Sequence, residues 1–231
     1  MFIDLVKYYT VPVIKRKWHS IIFWSIFGAM FVYFGKFPPI AAVWIFIVYA
    51  ISSIGISVMY FIADDNYTRR LEFYHALKIK FRVYCLILVI SSAILTIVMT
   101  LVPLLILMTL IYNIAFLKIL FAYTLSNGIW IIFSCIISAL IGIVIALWRP
   151  SFSFIEGIGT AIILALCIIP FVIVYSLNIK CYEILYVPPL TPLTVTDISL
   201  KILSTILETV ILYYIAYVKY NTFFYTTKPT I

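Results

Sequence analysis

Few residues in this chain are of a type that could do chemistry. Glu208 stands seven residues after Lys201 and eleven before Lys219, inside an otherwise apolar run. A carboxyl at such a depth in lipid costs roughly 2.5–3.5 kcal/mol on insertion scales, so it is expected to face a helix bundle or a cavity. There it would meet a cationic substrate, gate on a proton, or share a hydrogen bond with a neighbouring helix. The two histidines, His19 and His75, lie outside the apolar runs, with no second His or Cys at ligand spacing. Neither a metal site nor an intramembrane protease is expected from them. Cys85, Cys135, Cys167 and Cys181 make no C-x-x-C pair, which argues against a zinc site or a disulfide framework. The seven glycines never form G-x-x-x-x-G-K-[ST], so the chain has no phosphate loop of its own. No catalytic residue and no bound cofactor are predicted.

The densest chemistry is the stretch Ala63 to Tyr84, "ADDNYTRRLEFYHALKIKFRVY". It holds eight of the chain's 24 Asp, Glu, Lys and Arg residues. Asp64, Asp65 and Asn66 are N-cap candidates, and Lys78, Lys80 and Arg82 sit where a helix dipole favours cations. Phe73, Leu77, Phe81 and Tyr84 fall at i, i+4, i+8 and i+11, which predicts one helix with one apolar stripe. Arg69 and Glu72 are spaced to pair on another face. Three roles fit: a loop whose charges enforce topology, an amphipathic helix lying on lipid, or a short helix that docks on a protein.

The elements that must position these residues are set by composition. Of 231 residues 66% are hydrophobic and 10% charged, against about 25% charged in soluble domains. Lipid is therefore the solvent for most of the chain, and apolar runs near the ~20-residue spanning length follow one another. Hydropathy predicts an all-α polytopic membrane protein with six transmembrane helices, at about 19–35, 40–62, 84–110, 126–147, 155–177 and 202–219. Continuous apolar runs exclude a barrel as the design. The first run is preceded by Lys15, Arg16 and Lys17 and followed by no cleavage signal, so it is expected to remain as an anchor. "KFPP" joins the first two spans in a tight hairpin.

An even number of spans puts both ends on one face. That face collects Lys7, Lys15, Arg16, Lys17, Arg69, Arg70, Lys78, Lys80, Arg82, Arg149, Lys219 and Lys228; the other has Lys36, Lys118, Lys180 and Lys201. Twelve against four predicts cytoplasmic termini and a cytoplasmic charged stretch in a cell membrane. The formal charge of +8 is absorbed by this asymmetry, and no nucleic-acid motif accompanies it. Lys118 marks a short outer turn between spans three and four, and Arg149-Pro150 a helix stop. Glu156 reads as a helix-start charge. Pro103 and Pro170 free a carbonyl each and kink spans three and five. Ser52, Ser53, Ser57 and Gly55 allow close helix packing in span two. Trp18, Trp24, Trp44, Trp130 and Trp148 read as an interfacial belt.

"DDNYTRRLEFYHALKIKFRVYCLILVISS" resembles the second intracellular loop of the ABC exporter permeases of the second type. Arg70, Leu71, Glu72, Phe73, Ala76 and Leu77 correspond to that family's Leu-Glu element; Lys78 and Ile79 replace its usual proline, and Arg70 its usual small residue. "YYTVPVIKRKWHSIIFWSI" is similar to the family's N-terminal amphipathic helix, "KFPPI" to its approach to span two, and Leu185–Thr194 to its outer stretch between the last spans. The resemblance implies a permease subunit that exports a drug, peptide, lipid or sugar. It implies a separate ATPase subunit in two copies, which binds ATP and Mg, and a second permease chain, identical or homologous. The charged stretch would then be the coupling helix. Phe73, Tyr74 and Leu77 would be its anchors, Arg69, Arg70, Glu72, Lys78 and Lys80 its rim, and Leu71 a further residue of the coupling element. Glu208, Pro103 and Pro170 would border the pathway. A non-transporting immunity or anchor protein and the substrate-binding subunit of an importer stay open as alternatives.

Overall fold

The structure, a computed structural model, describes residues 6–11, 33–177, 188–189 and 195–226, together with Ile26, Ala29 and Met30. Most of the first predicted span, its basic approach, His19, Lys180, Cys181 and most of the stretch 185–194 lie outside the described residues. Within them the chain is helical and contains no strand. Beyond a helical segment at residues 6–11, the main elements are α1 (Pro39–Tyr67), α2 (Arg70–Ala76), α3 (Phe81–Thr96), α4 (Val102–Trp148), α5 (Thr160–Leu177) and α6 (Val195–Thr226). Among the described residues three helices are long and apolar enough to cross a membrane: Pro39–Tyr67, the continuous run Phe81–Trp148, and Asp197–Thr222.

Proline chemistry sets several boundaries. Pro38 caps α1 and Pro39 is its first residue, where a missing N–H costs nothing. The preceding turn is closed by Lys36, which adopts φ 49°. Between α3 and α4 the helix widens to a π turn at Ile97–Leu101. Pro103 follows it and cannot donate to the Met99 carbonyl, so the wider turn absorbs the crowding. A second π turn, Ile155–Gly159, leads into α5 and carries Glu156, which is exposed. Pro170 lies within α5. At Arg149-Pro150 α4 stops, as its sequence predicts, with the Arg149 guanidinium 5.6 Å from the Phe154 ring centroid.

The 68-residue run Phe81–Trp148 would measure about 100 Å if straight, more than three times a bilayer core. It reverses instead. Tyr84 meets Asp65 and Tyr112 meets Phe37, so this arm is antiparallel to α1. Ser138 meets Ile51 and Pro150 meets Asn66, so the later arm is parallel to α1. Asn113, at φ 58° and ψ −158°, breaks the helix between the arms. The expected outer turn around Lys118 is therefore helix, and the turn sits five residues earlier on a residue type that tolerates positive φ.

α1 packs chiefly against α4, and α6 also lies on α4. Gly55 and Gly142 make the close crossing: a Cβ on Gly142 would collide with the Gly55 carbonyl oxygen, and one on Gly55 would lie 2.6 Å from Ser138 Oγ. The Ser138 hydroxyl donates to the Ile51 carbonyl at 2.8 Å across that crossing. Trp44 departs from the predicted belt. It is buried and donates from Nε1 to the Pro188 carbonyl at 3.3 Å.

Candidate functional site

The charged stretch is three helical pieces, not one. α1 runs on through Asp64, Asp65 and Asn66, so these residues end a helix and do not cap one. The Thr68 amide closes α1 onto the Asp64 carbonyl at 2.9 Å, and Arg69 then takes φ 56°. Lys78 ends α2 in the same way at φ 54°, with the Ile79 amide bonded to the Tyr74 carbonyl at 3.0 Å. That is a Schellman closure, in which Ile79 and Tyr74 make the accompanying apolar contact. Left-handed backbone normally selects Gly or Asn, so neither break is visible in the residue types. The predicted stripe splits accordingly. Phe73 and Leu77 are 60% and 58% exposed, while Phe81 and Tyr84 are buried at the start of α3.

At the base of α2 lies a buried carboxylate. Asp65 has no exposed surface. Its Oδ2 accepts from the Tyr9 hydroxyl at 2.5 Å and the Tyr84 hydroxyl at 2.9 Å, and its Oδ1 from Arg70 Nη1 at 3.2 Å. The other guanidinium nitrogen reaches Asp64 Oδ2 at 2.8 Å, and the Arg70 guanidinium covers the Tyr8 ring at 4.6 Å. Burial, and after it the electrostatic surroundings that Tyr84 and Asp65 create, lift the Tyr9 phenol far above its ordinary range, so it stays protonated and donates. Burial likewise raises Tyr74, whose oxygen lies 3.1 Å from that of Tyr9. Since Tyr9 gives its proton to Asp65, Tyr74 is the donor in that second bond. Aromatic rings seal the cluster: Tyr9 on Phe61, and Tyr84 between Tyr74 and Tyr220, with centroids 5.2 to 5.7 Å apart. The Tyr220 hydroxyl donates to the Ile79 carbonyl at 3.4 Å. Residues 6–11, α1, α2, α3 and α6 thus converge on one end of the bundle.

The predicted site residues therefore separate by role. Leu71 and Tyr74 turn inward and Arg70 lies in the cluster, so Tyr74 supports α2 and is not an outward anchor. Phe73 and Leu77 face outward, 60% and 58% exposed. Arg69, Glu72 and Lys78 are exposed around them, and the ion pairs described here belong to Arg70, not to Arg69. Tyr9 and Asp65 carry the cluster, and residue types alone did not mark them as partners 56 positions apart.

The chain matches no protein-family model, no curated protein and no solved structure. Among the described residues no group of three His, Cys, Asp or Glu could hold a metal ion. In α6, Lys201, Thr205 and Glu208 lie at i, i+4 and i+7 on one face. Lys201, grouped by sequence with the loop charges, is 1% exposed and hence inside the bundle. Glu208 Oε2 and Thr205 Oγ1 are buried without a hydrogen-bond partner among the described residues. Other hydroxyls of α6, those of Ser204 and Thr209, turn back onto Lys201 and Thr205 carbonyls.

Proposed function

We propose that this chain is the permease subunit of an ATP-driven exporter in a cell membrane, with both termini and α2 in the cytoplasm. A single observation carries the proposal: a seven-residue helix between two long apolar helices presents Phe73 and Leu77 to solvent while its inner face is fixed by Arg70, Leu71 and Tyr74. An apolar pair held in one orientation and rimmed by Arg69, Glu72 and Lys78 suits a groove on a partner protein. Its desolvation supplies affinity, and the charged rim supplies partner choice. Without a phosphate loop in this chain, the fitting partner is a separate ATPase subunit, present in two copies on two permease chains. ATP-driven closure of that partner would move α2, and with it α1 and α3. Glu208, with one carboxyl oxygen unpartnered, is the contact proposed for the transported molecule, and Pro103 and Pro170 shape the adjoining helices.

The test is affinity isolation of the tagged full-length chain from its native membrane, with ATP hydrolysis assayed in the eluate. The wild type should bring down hydrolysis, and Phe73→Asp with Leu77→Asp should lose it while still inserting. Equal hydrolysis from both would overturn docking through α2. No hydrolysis from either would favour a non-transporting membrane protein.

A further inference from the structure

The orientation of α2 needs a cause beyond its own sequence. Seven residues are far below the ~12–15 at which an isolated helix becomes even marginal in water. Both its ends are left-handed hinges, Arg69 and Lys78. We infer that the N-terminal segment is a latch: the Tyr9 hydroxyl, through Asp65 and Tyr74, is the positioning group that holds α2 with Phe73 and Leu77 outward. The inference deepens the docking proposal and rests on it for its functional meaning.

Three observations carry it. Tyr9 is bonded at once to α1, through Asp65, and to α2, through Tyr74. No other described side chain ties that pair from a third element by hydrogen bonds to both. Its neighbour Tyr8 covers the outer side of Arg70, so the same short segment closes both sides of the cluster. Lastly, residues 6–11 seat on the cluster by one face: Val6, Tyr9 and Thr10 are buried, Lys7, Tyr8 and Val11 are exposed, and the Gly55–Gly142 crossing that anchors α1 on α4 involves none of them. Withdrawal of the segment would leave Asp65 with Tyr84 and Arg70 alone and free α2 to tilt about its two hinges. Docking competence would thus be set by whether the N-terminal segment is seated.

Hydrogen–deuterium exchange on the full chain in phosphatidylcholine–phosphatidylglycerol nanodiscs, with no ATPase present, tests this separately from docking. Tyr9→Phe keeps the ring on Phe61 and removes only the hydroxyl. Exchange at the Phe73, Leu77 and Ile79 amides should rise about tenfold or more, the range for losing a hydrogen bond to a charged group. Buried amides of α1 between 43 and 58 should stay within about twofold of wild type. Phe73→Asp with Leu77→Asp should leave exchange across α2 unchanged, so a failed latch and a failed docking surface give different results. Unchanged exchange in α2 of Tyr9→Phe overturns the latch. A rise spread equally over α1 also overturns it, because Tyr9 would then be an ordinary core residue.

Discussion

Asp65→Asn isolates the charge at the centre of the cluster. Asn has the same shape but one acceptor oxygen in place of two, and no charge. Asp65 receives three hydrogen bonds, from Tyr9, Tyr84 and Arg70. Bonds to a charged group contribute about 1.5–3 kcal/mol each. The amide keeps one as a neutral bond and must turn its own donors toward the remaining hydroxyls, so the expected loss is about 3 kcal/mol. It stays at the lower end of the ~3–5 kcal/mol of an orphaned buried ion, because Arg70 keeps Asp64 at 2.8 Å. That surviving pair is partly exposed and adds little by itself. For chains of about 150–250 residues, 1 kcal/mol shifts Tm by roughly 2–4 °C, giving a fall of about 6–12 °C. Cys85 and Cys167 are buried, so a thiol-reactive dye reports unfolding in detergent directly. A double-mutant cycle with Arg70→Ala should give less than additive loss, since both remove one interaction. A Tm within about 2 °C of wild type for Asp65→Asn would refute the claim that this carboxylate closes the end of the bundle.

The same dye assay checks three further outcomes. Gly142→Ala forces a methyl against the Gly55 carbonyl, a backbone atom that cannot turn aside, and should cost about 2–3 kcal/mol, whereas Gly128→Ala meets nothing within 4 Å and should be neutral or stabilising by up to ~1 kcal/mol. Lys78→Gly suits φ 54° and should leave Tm unchanged or higher, while Lys78→Val should lower it by more than about 2–4 °C, the equivalent of ~1 kcal/mol. Glu208→Gln removes no hydrogen bond from the buried Oε2, so Tm should hold while export by the isolated complex changes; a lowered Tm would make Glu208 structural.

How much of this was legible in sequence follows from which forces act locally. Long apolar runs mark helices because lipid forces backbone groups to pair within the segment; α1 covers the predicted span 40–62 and α6 the predicted span 202–219, whereas 84–110 and 126–147 fall in one continuous run, Phe81–Trp148, that turns at Asn113. The stop at Arg149-Pro150 and the start at Pro39 were legible because proline acts on its own backbone. The breaks at Arg69, Lys78 and Asn113 were not, because each imposes positive φ on a residue that is not Gly, and tertiary contacts enforce that conformation. Periodicity carried Phe73 to Tyr84 across Lys78 as one stripe for the same reason.

The charged stretch divides most usefully at Asp65. A count of Lys and Arg treats its charges as equivalent signs of sidedness. Burial separates them: Asp65 is fully inside the protein with the half-buried Arg70 paired to it, and Arg69, Glu72 and Lys78 are left outside. A charge that serves only topology need not be buried, since exposure satisfies it at no cost. Burying Asp65 takes a carboxylate out of water and is tolerated only because three donors from three different elements converge on it. That convergence fixes a helix of only seven residues, α2, between the end of α1 and the start of α3. A loop needed only for its charge would not require it, whereas the proposed docking helix, which presents Phe73 and Leu77 in one direction, does.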